Sequence, residues 1–320
     1  AAPILLNIIL ILSLIISYKF NLNFAEQLSY GVTLAGILQF IFLLFVAAKF
    51  YKPTLIFKIK ADSKVKLFFK KLIPSIFSSG VTQINILVGT IIASFEMGAV
   101  SYLYYADRIY QINLAIAGIA VGTVSLPVLS KAYKNKNLKK LSNIQSKSFE
   151  LSLLLSIPAS FGLILASEEI VNSLFGYGSF SEEDVKLTAD ALRYFGFGVP
   201  AFALVKILSN FFFARDNTKT PFYISIVIVL INIFISVSLF SGFGFIIIPI
   251  ATSLATWMGV LIYIYLLSTK KSLLLKIELI PNLLKILSST IIMSFILVLA
   301  LNNYASYLDY TYKFKAIYLI

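Results

Sequence analysis

SYLYYADRIYQINLAIAGIAVGTVSLPVLSKAY, residues 101–133, decides how the rest of the chain is read. It reads as one long, mostly apolar helix that carries an adjacent acid and base, Asp107 and Arg108, about two turns inside its start. Beyond that pair come Gly118 and Gly122 at i, i+4, then Pro127, then a lysine-rich exit. An ionisable residue within a membrane span costs roughly 2.5–3.5 kcal/mol on insertion scales, so it usually faces a bundle interior or a watered cavity. Two readings follow. The pair anchors the helix near the headgroup level, or it faces a cavity and works there; the second is favoured.

Composition extends the membrane reading to the whole chain. Of its 320 residues 59% are hydrophobic and only 13% charged, and the mean hydropathy is +0.91. A soluble domain carries about 25% charged residues, so this sequence cannot cover itself with a polar surface. The apolar stretches approach the ~20 residues that an α-helix needs to cross a bilayer, and they lack the ~10-residue alternation of a membrane barrel. The expected fold class is an all-α, polytopic membrane helix bundle. The chain has neither cysteine nor histidine, which removes thiol chemistry, disulfides and imidazole ligands or proton relays. It starts at Ala1 without a methionine and stops at Ile320 inside an apolar run, so a fragment is expected. Residues 1–18 show no basic leader of the signal-peptide kind.

Nine apolar runs are expected to span: 2–18, 28–48, 72–94, 100–129, 149–166, 185–214, 222–240, 245–267 and 280–301, with 316–320 as the first turn of a tenth. Residues 131–147 read as a basic amphipathic connector and 167–184 as an acidic loop, while Gly196, Gly198 and Pro200 are expected to interrupt the sixth span. The links after the second, fourth, sixth and eighth spans hold 20 of the 27 Lys and Arg. The alternate links hold Glu26, Glu96, Glu168, Glu169, Glu182, Glu183, Asp184 and Asp309. Short basic loops stay in the cytoplasm, so the even-numbered spans are expected to exit there. The net charge of +13 is then topology and contact with anionic headgroups, not a nucleic-acid patch.

Charges inside the spans are few: Asp107, Arg108, Asp190, Arg193 and Lys206. Asp190 and Arg193, at i, i+3, can pair along their own helix, and a structural role is favoured for them. Lys206 either snorkels to the cytoplasmic face or faces a central cavity. Ser78, Ser79, Thr82, Gln83 and Asn85 give the third span a wet stripe, with Ser79, Thr82 and Gln83 on one face, as a solvated cavity or interhelical glue would require. Gly118 and Gly122 either loosen the helix or let a neighbour pack closely. No paired carboxylates in a metal-like arrangement, no base of the imidazole or thiol kind and no phosphate-binding glycine loop are present. A cationic cavity without a catalytic set points to a transporter of an anionic solute or headgroup, not an enzyme.

The motif YYADRIYQINLAIAGIAVGTVSLPVLSKAY resembles the signature helix of the MurJ/MviN lipid II flippases, in the multidrug/oligosaccharidyl-lipid/polysaccharide exporter superfamily. AAPILLNIILI, LIPSIFSSGVTQINILVGTIIASF, LFGYGSFSEEDV and FFFARDNTKTPFYISIVI are similar to family segments in the same order. The resemblance implies a fourteen-span, two-lobe transporter of which this chain covers spans five to thirteen and the start of fourteen. Residues 1–48 would be the last two helices of the first lobe and 49–71 a basic cytoplasmic linker. Residues 72–267 would be the six-helix second lobe, and 268–320 part of the helix pair forming a lipid-tail groove.

The implied activity is alternating-access movement of the undecaprenyl-pyrophosphate-linked peptidoglycan precursor, lipid II, across the bacterial cytoplasmic membrane. Arg108 matches the family's cavity arginine and Asp107 its acidic neighbour, expected to hold Arg108 when the cavity is empty. Lys206, Gln83 and Ser79 are the further cavity candidates, with Arg193 and Asp190 secondary. Gly89 departs from the Asp or Asn that relatives often carry. No cofactor or metal is expected, a monomer is, and the drive would come from membrane potential or an ion gradient. The runner-up is a flippase for another polyprenyl-linked oligosaccharide, or a drug/cation antiporter of the same superfamily.

Overall fold

The computed structural model describes residues 2–49, 65, 83–312 and 315–319. Every regular element among them is helical. Six stretches are long and apolar enough to cross a membrane: Phe24–Ala48, Ala99–Lys134, Leu138–Leu165, Glu182–Phe213, Lys219–Thr269 and Leu279–Tyr304. The fifth of these contains two helices. Shorter apolar helices cover Ile4–Phe20 and Gln83–Ala93. The expected basic linker, 49–71, lies almost wholly outside the described residues, as do Ser78, Ser79 and Thr82.

The chain divides into two compact units, Ala1–Phe69 and Lys70–Ile320. In the first, α1 (Ala2–Phe20) and α2 (Phe24–Ala48) form a hairpin. Asn23 caps α2 by accepting from the amides of Ala25 and Glu26. The seam is made of small residues: a Cβ on Gly31 would collide with the Ser13 hydroxyl, and Ala35 and Ser17 are fully buried. Lipid chains are as apolar as leucine, so close van der Waals approach at small side chains holds such helices together.

The second unit holds α3 (described over Gln83–Ala93), α4 (Ala99–Lys134), α5 (Leu138–Leu165), α6 (Ser167–Phe175) and α7 (Glu182–Phe213). It continues with α8 (Lys219–Phe243), α9 (Ile247–Thr269), α10 (Leu279–Leu308) and α11 (Lys315–Leu319). Helix α7 is the hub: most of its residues from Val185 to Phe212 are buried, and α4, α5, α6 and α9 pack around it. Helix α8 leans on α9, and α10 on α5. One buried apolar cluster gathers Leu129, Leu141, Leu208, Phe211 and Tyr263 near the basic links; a second gathers Ala106, Leu163, Leu192, Phe195 and Ile248 toward the acidic ones.

Three expectations change. The sixth span is not interrupted, for α7 runs unbroken through Gly196, Gly198 and Pro200. Pro200 has no amide to give the carbonyl of Gly196, and the Ser160 hydroxyl of α5 donates to that oxygen instead, at 2.7 Å. The acidic loop is partly helical: α6 occupies Ser167–Phe175. The basic connector is divided, since α4 extends to Lys134 and α5 begins at Leu138. The turn between them has Lys136 at φ +52° and Asn137 capping Lys140.

Hydrogen bonds sort the links of this unit into two sets. At one end the segment 270–278 is strapped to α5 and to the α7–α8 link. Ser142 donates to the carbonyl of Leu274 (2.6 Å), the Leu274 amide to Gln145 (2.8 Å), and Arg215 to the carbonyl of Ser272 (2.7 Å). At the other end the Phe245 amide donates to Glu96 (2.7 Å), Tyr102 to Asp184 (2.8 Å) and Tyr310 to the carbonyl of Phe180 (2.6 Å). Within the second unit, basic links meet basic links and acidic links meet acidic ones.

Candidate functional site

Helix α4 starts after Gly98, whose φ of +78° turns the chain out of the short link behind α3. Two turns on come Asp107 and Arg108. Consecutive helical residues diverge by about 100°, whereas residues four apart share a face. The two charges therefore find different partners. Asp107 is half-buried and accepts a short hydrogen bond from Gln111. Arg108 is exposed; its Nη2 donates to the Tyr104 hydroxyl at 2.9 Å, and its guanidinium carbon lies 4.6 Å from the Tyr104 ring centroid. Among the described residues no ion pair within 4.0 Å joins Asp107 to Arg108. The expected acid–base couple is two separate i, i+4 pairs.

Asp107 opens onto a cavity of about 210 Å³ between α3, α4, α7, α8 and α9. Its polar wall includes Asn85, Tyr104, Tyr110, Asn232, Ser236 and Thr252. The Asn232 amide donates to Asn85 Oδ1 (2.8 Å) and to Thr252 Oγ1 (3.3 Å), and Ser236 donates to Asn232 Oδ1 (3.2 Å). Gly89 lines the same space, where an added Cβ would meet only a methyl of Ile248 at 3.8 Å, so a side chain fits there. Tyr110 closes the floor by stacking on Phe195 (4.7 Å) and Phe202 (5.3 Å). Among the described residues no three His, Cys, Asp or Glu cluster as metal ligands.

Below the pair, residues 115–120 form a π-turn inside α4, a local widening common at functional sites. Gly118 sits in it because α7 passes close: a Cβ there would lie 3.1 Å from Ala203 Cα. One turn on, Asn210 of α7 donates to the carbonyl of Gly122 at 2.8 Å. Both readings of these glycines find support: Gly118 lies in the widened turn, and both glycines have a close neighbour on α7.

The remaining candidates are scattered. Gln83 is exposed on α3 and Lys206 on α7. Asp190 and Arg193 form the expected pair on their own helix, at 3.3 Å and half-exposed. None of these four lines the cavity of Asp107. Sequence reasoning missed Asn232, Ser236 and Thr252; their signal was a polar pair at i, i+4 on an otherwise apolar α8, with a threonine across the next turn. Tyr104 and Gln111 were equally overlooked.

The description "Lipid II flippase MurJ" belongs to the family model that matches residues 1–318. The chain belongs to the MurJ family. A protein of Rickettsia prowazekii named "Probable lipid II flippase MurJ" is 37% identical over 313 residues, covering 96% of this chain and 60% of that protein. A Rhizobium meliloti protein of the same printed name is 37% identical over 271 residues, covering 82% and 49%. The solved structure titled "Lipid II flippase MurJ, inward closed conformation" superposes with a TM-score of 0.77 at 29% identity, over 93% of this chain and 60% of that one. An outward-facing MATE multidrug transporter matches with a TM-score of 0.58 at 17% identity, over 68% of this chain and 50% of that one, which is a likeness of fold alone. The chain thus spans about half to three-fifths of the length of these MurJ relatives. With its membrane-length helices, this MurJ-family chain is a multi-pass protein of the cytoplasmic membrane, in a family of transporters rather than catalysts.

Proposed function

We propose that the protein carrying this chain moves lipid II from the inner to the outer leaflet by alternating access, in support of peptidoglycan synthesis. The match to the MurJ family across residues 1–318 carries this reading. In it, Arg108 is a ligand of the pyrophosphate. An exposed guanidinium on an apolar span offers planar, paired donors that match phosphate oxygens, which a lysine ammonium reproduces poorly. Gln83, Ser79 and Lys206 would line the same path, Asp107 would hold the wall of the intralobe cavity, and Asp190–Arg193 would be an outer-end brace. The described helices would belong to nine spans and the start of a tenth within a fourteen-helix, two-lobe monomer. The links after even-numbered spans would be cytoplasmic, and α10–α11 would border the groove for the polyprenyl tail. Membrane potential or an ion gradient would drive the cycle.

Another polyprenyl-linked oligosaccharide is the competing cargo. A drug/cation antiporter is less favoured, since the MATE likeness is one of fold alone and the spans hold few acids. The test uses the full-length gene in cells depleted of their own lipid II flippase, scoring growth and outer-leaflet lipid II. Rescue by wild type and failure of Arg108→Ala supports the proposal. A well-expressed wild type that does not rescue overturns lipid II as cargo, and full activity of Arg108→Lys overturns Arg108 as a bidentate ligand.

A further inference from the structure

We infer that Tyr104 is a positioning residue for Arg108, restraining its guanidinium through both ring and hydroxyl so that the remaining donors are presented to an anionic phosphate group; this rests on the reading of Arg108 above. Two contacts define the arrangement. The Tyr104 hydroxyl accepts from Nη2 at 2.9 Å, and the ring lies 4.6 Å under the guanidinium carbon. The hydroxyl engages one of the five N–H donors of arginine, which leaves four. A ring stacks on a guanidinium without competing for those donors, because attraction to the π-face is perpendicular to the plane in which the N–H bonds lie. Among the described residues, no other side chain is hydrogen-bonded or ion-paired to Arg108.

Tyr104 is about half exposed and touches a ring cluster through its neighbour. Its ring meets that of Tyr105 edge-on at 6.1 Å, and Tyr105 packs on Phe175 of α6 at 4.7 Å and on Phe180 at 5.3 Å. Tyr105 thus links the helix turn that carries Tyr104 to a cluster of rings on α6 and the link that follows it. Tyr104 also lines the cavity of Asp107. A long side chain restrained before binding loses less freedom when it binds, and that difference appears as affinity.

The test is a double-mutant cycle in the purified full-length protein, with lipid II as the probe and its Kd as the readout, and with melting temperature followed in parallel. Tyr104→Leu removes ring and hydroxyl and is expected to weaken lipid II binding about 5- to 10-fold; Tyr104→Phe keeps the stack and is expected to cost about 2- to 3-fold. In an Arg108→Ala background neither substitution should weaken binding further. Independent, multiplying losses would overturn the inference while leaving Arg108 as a ligand. An unchanged Kd in Arg108→Ala alone would overturn the phosphate reading and this inference with it. Should Tyr104→Leu fail to fold, the Tyr104→Phe arm of the cycle decides in the same way.

Discussion

Lys315 and Arg108 are both cations in a strongly apolar chain, and the structure treats them in opposite ways. Lys315 is fully buried. Its ammonium donates to Asn172 Oδ1 (2.7 Å) and to the carbonyls of Gly176 (2.7 Å) and Tyr310 (2.9 Å). The rings of Tyr177 and Tyr310 approach it at 4.5 and 4.7 Å. All three of its donors are taken. Arg108 is exposed, with one donor engaged by Tyr104. A cation whose donors are saturated by its own chain is a fastener, here between the start of α11 and the α6–α7 link. A cation with one donor engaged and no other bonded side chain among the described residues has capacity left for a ligand.

That contrast predicts which property each substitution destroys. On the proposed function, Arg108→Ala should lower lipid II transport by about two orders of magnitude, the loss of the proposed charge-assisted bidentate contact, while the melting temperature of the full-length protein stays unchanged. A parallel fall in melting temperature would make Arg108 another fastener. Lys315→Met should do the reverse. It strands Asn172 Oδ1 and two carbonyls, costs about 3 kcal/mol of stability, and leaves the proposed lipid II affinity intact at temperatures where the protein is folded. Gln145→Leu probes the other end of α10: it removes the partner of the Leu274 amide, for about 1–2 kcal/mol. Faster hydrogen exchange in residues 270–278 is the measurement. Ser160→Ala leaves the carbonyl freed by Pro200 without its donor and should cost about 0.6 kcal/mol, the usual size of an interhelical hydrogen bond in membrane proteins. Arg193→Ala is the smallest: a half-exposed pair contributes about 0.5 kcal/mol or less, visible only as a marginal shift in melting temperature.

Much of the architecture was legible because membrane spans obey one dominant rule. Every backbone group must be satisfied inside the segment, so an apolar run of sufficient length becomes a helix whatever its neighbours are. The alternation of basic and acidic links was readable for a similar reason, since charge acts at each loop separately. Helix α6 was hidden because Glu168, Glu169 and the turn-rich GYGSFSEED dominate its neighbourhood. Its apolar residues Ile170, Val171, Leu174 and Phe175 make less than three turns of pattern. The unbroken course of α7 through Pro200 was hidden because the donor that repairs it, Ser160, lies on another helix.

Residue order alone determined that Asp107 and Arg108 stand on one membrane helix, point about 100° apart, and belong to a chain of the MurJ kind. Only the tertiary structure decided which direction each faced. It put Asp107 on the wall of a cavity built by five helices, with Asn85, Asn232 and Thr252 brought from distant segments. It also left Arg108 outside that cavity on the face of Tyr104. Helical periodicity sets the angle between two neighbours, but which neighbour is buried depends on where the other helices pack, and no local pattern carries that information.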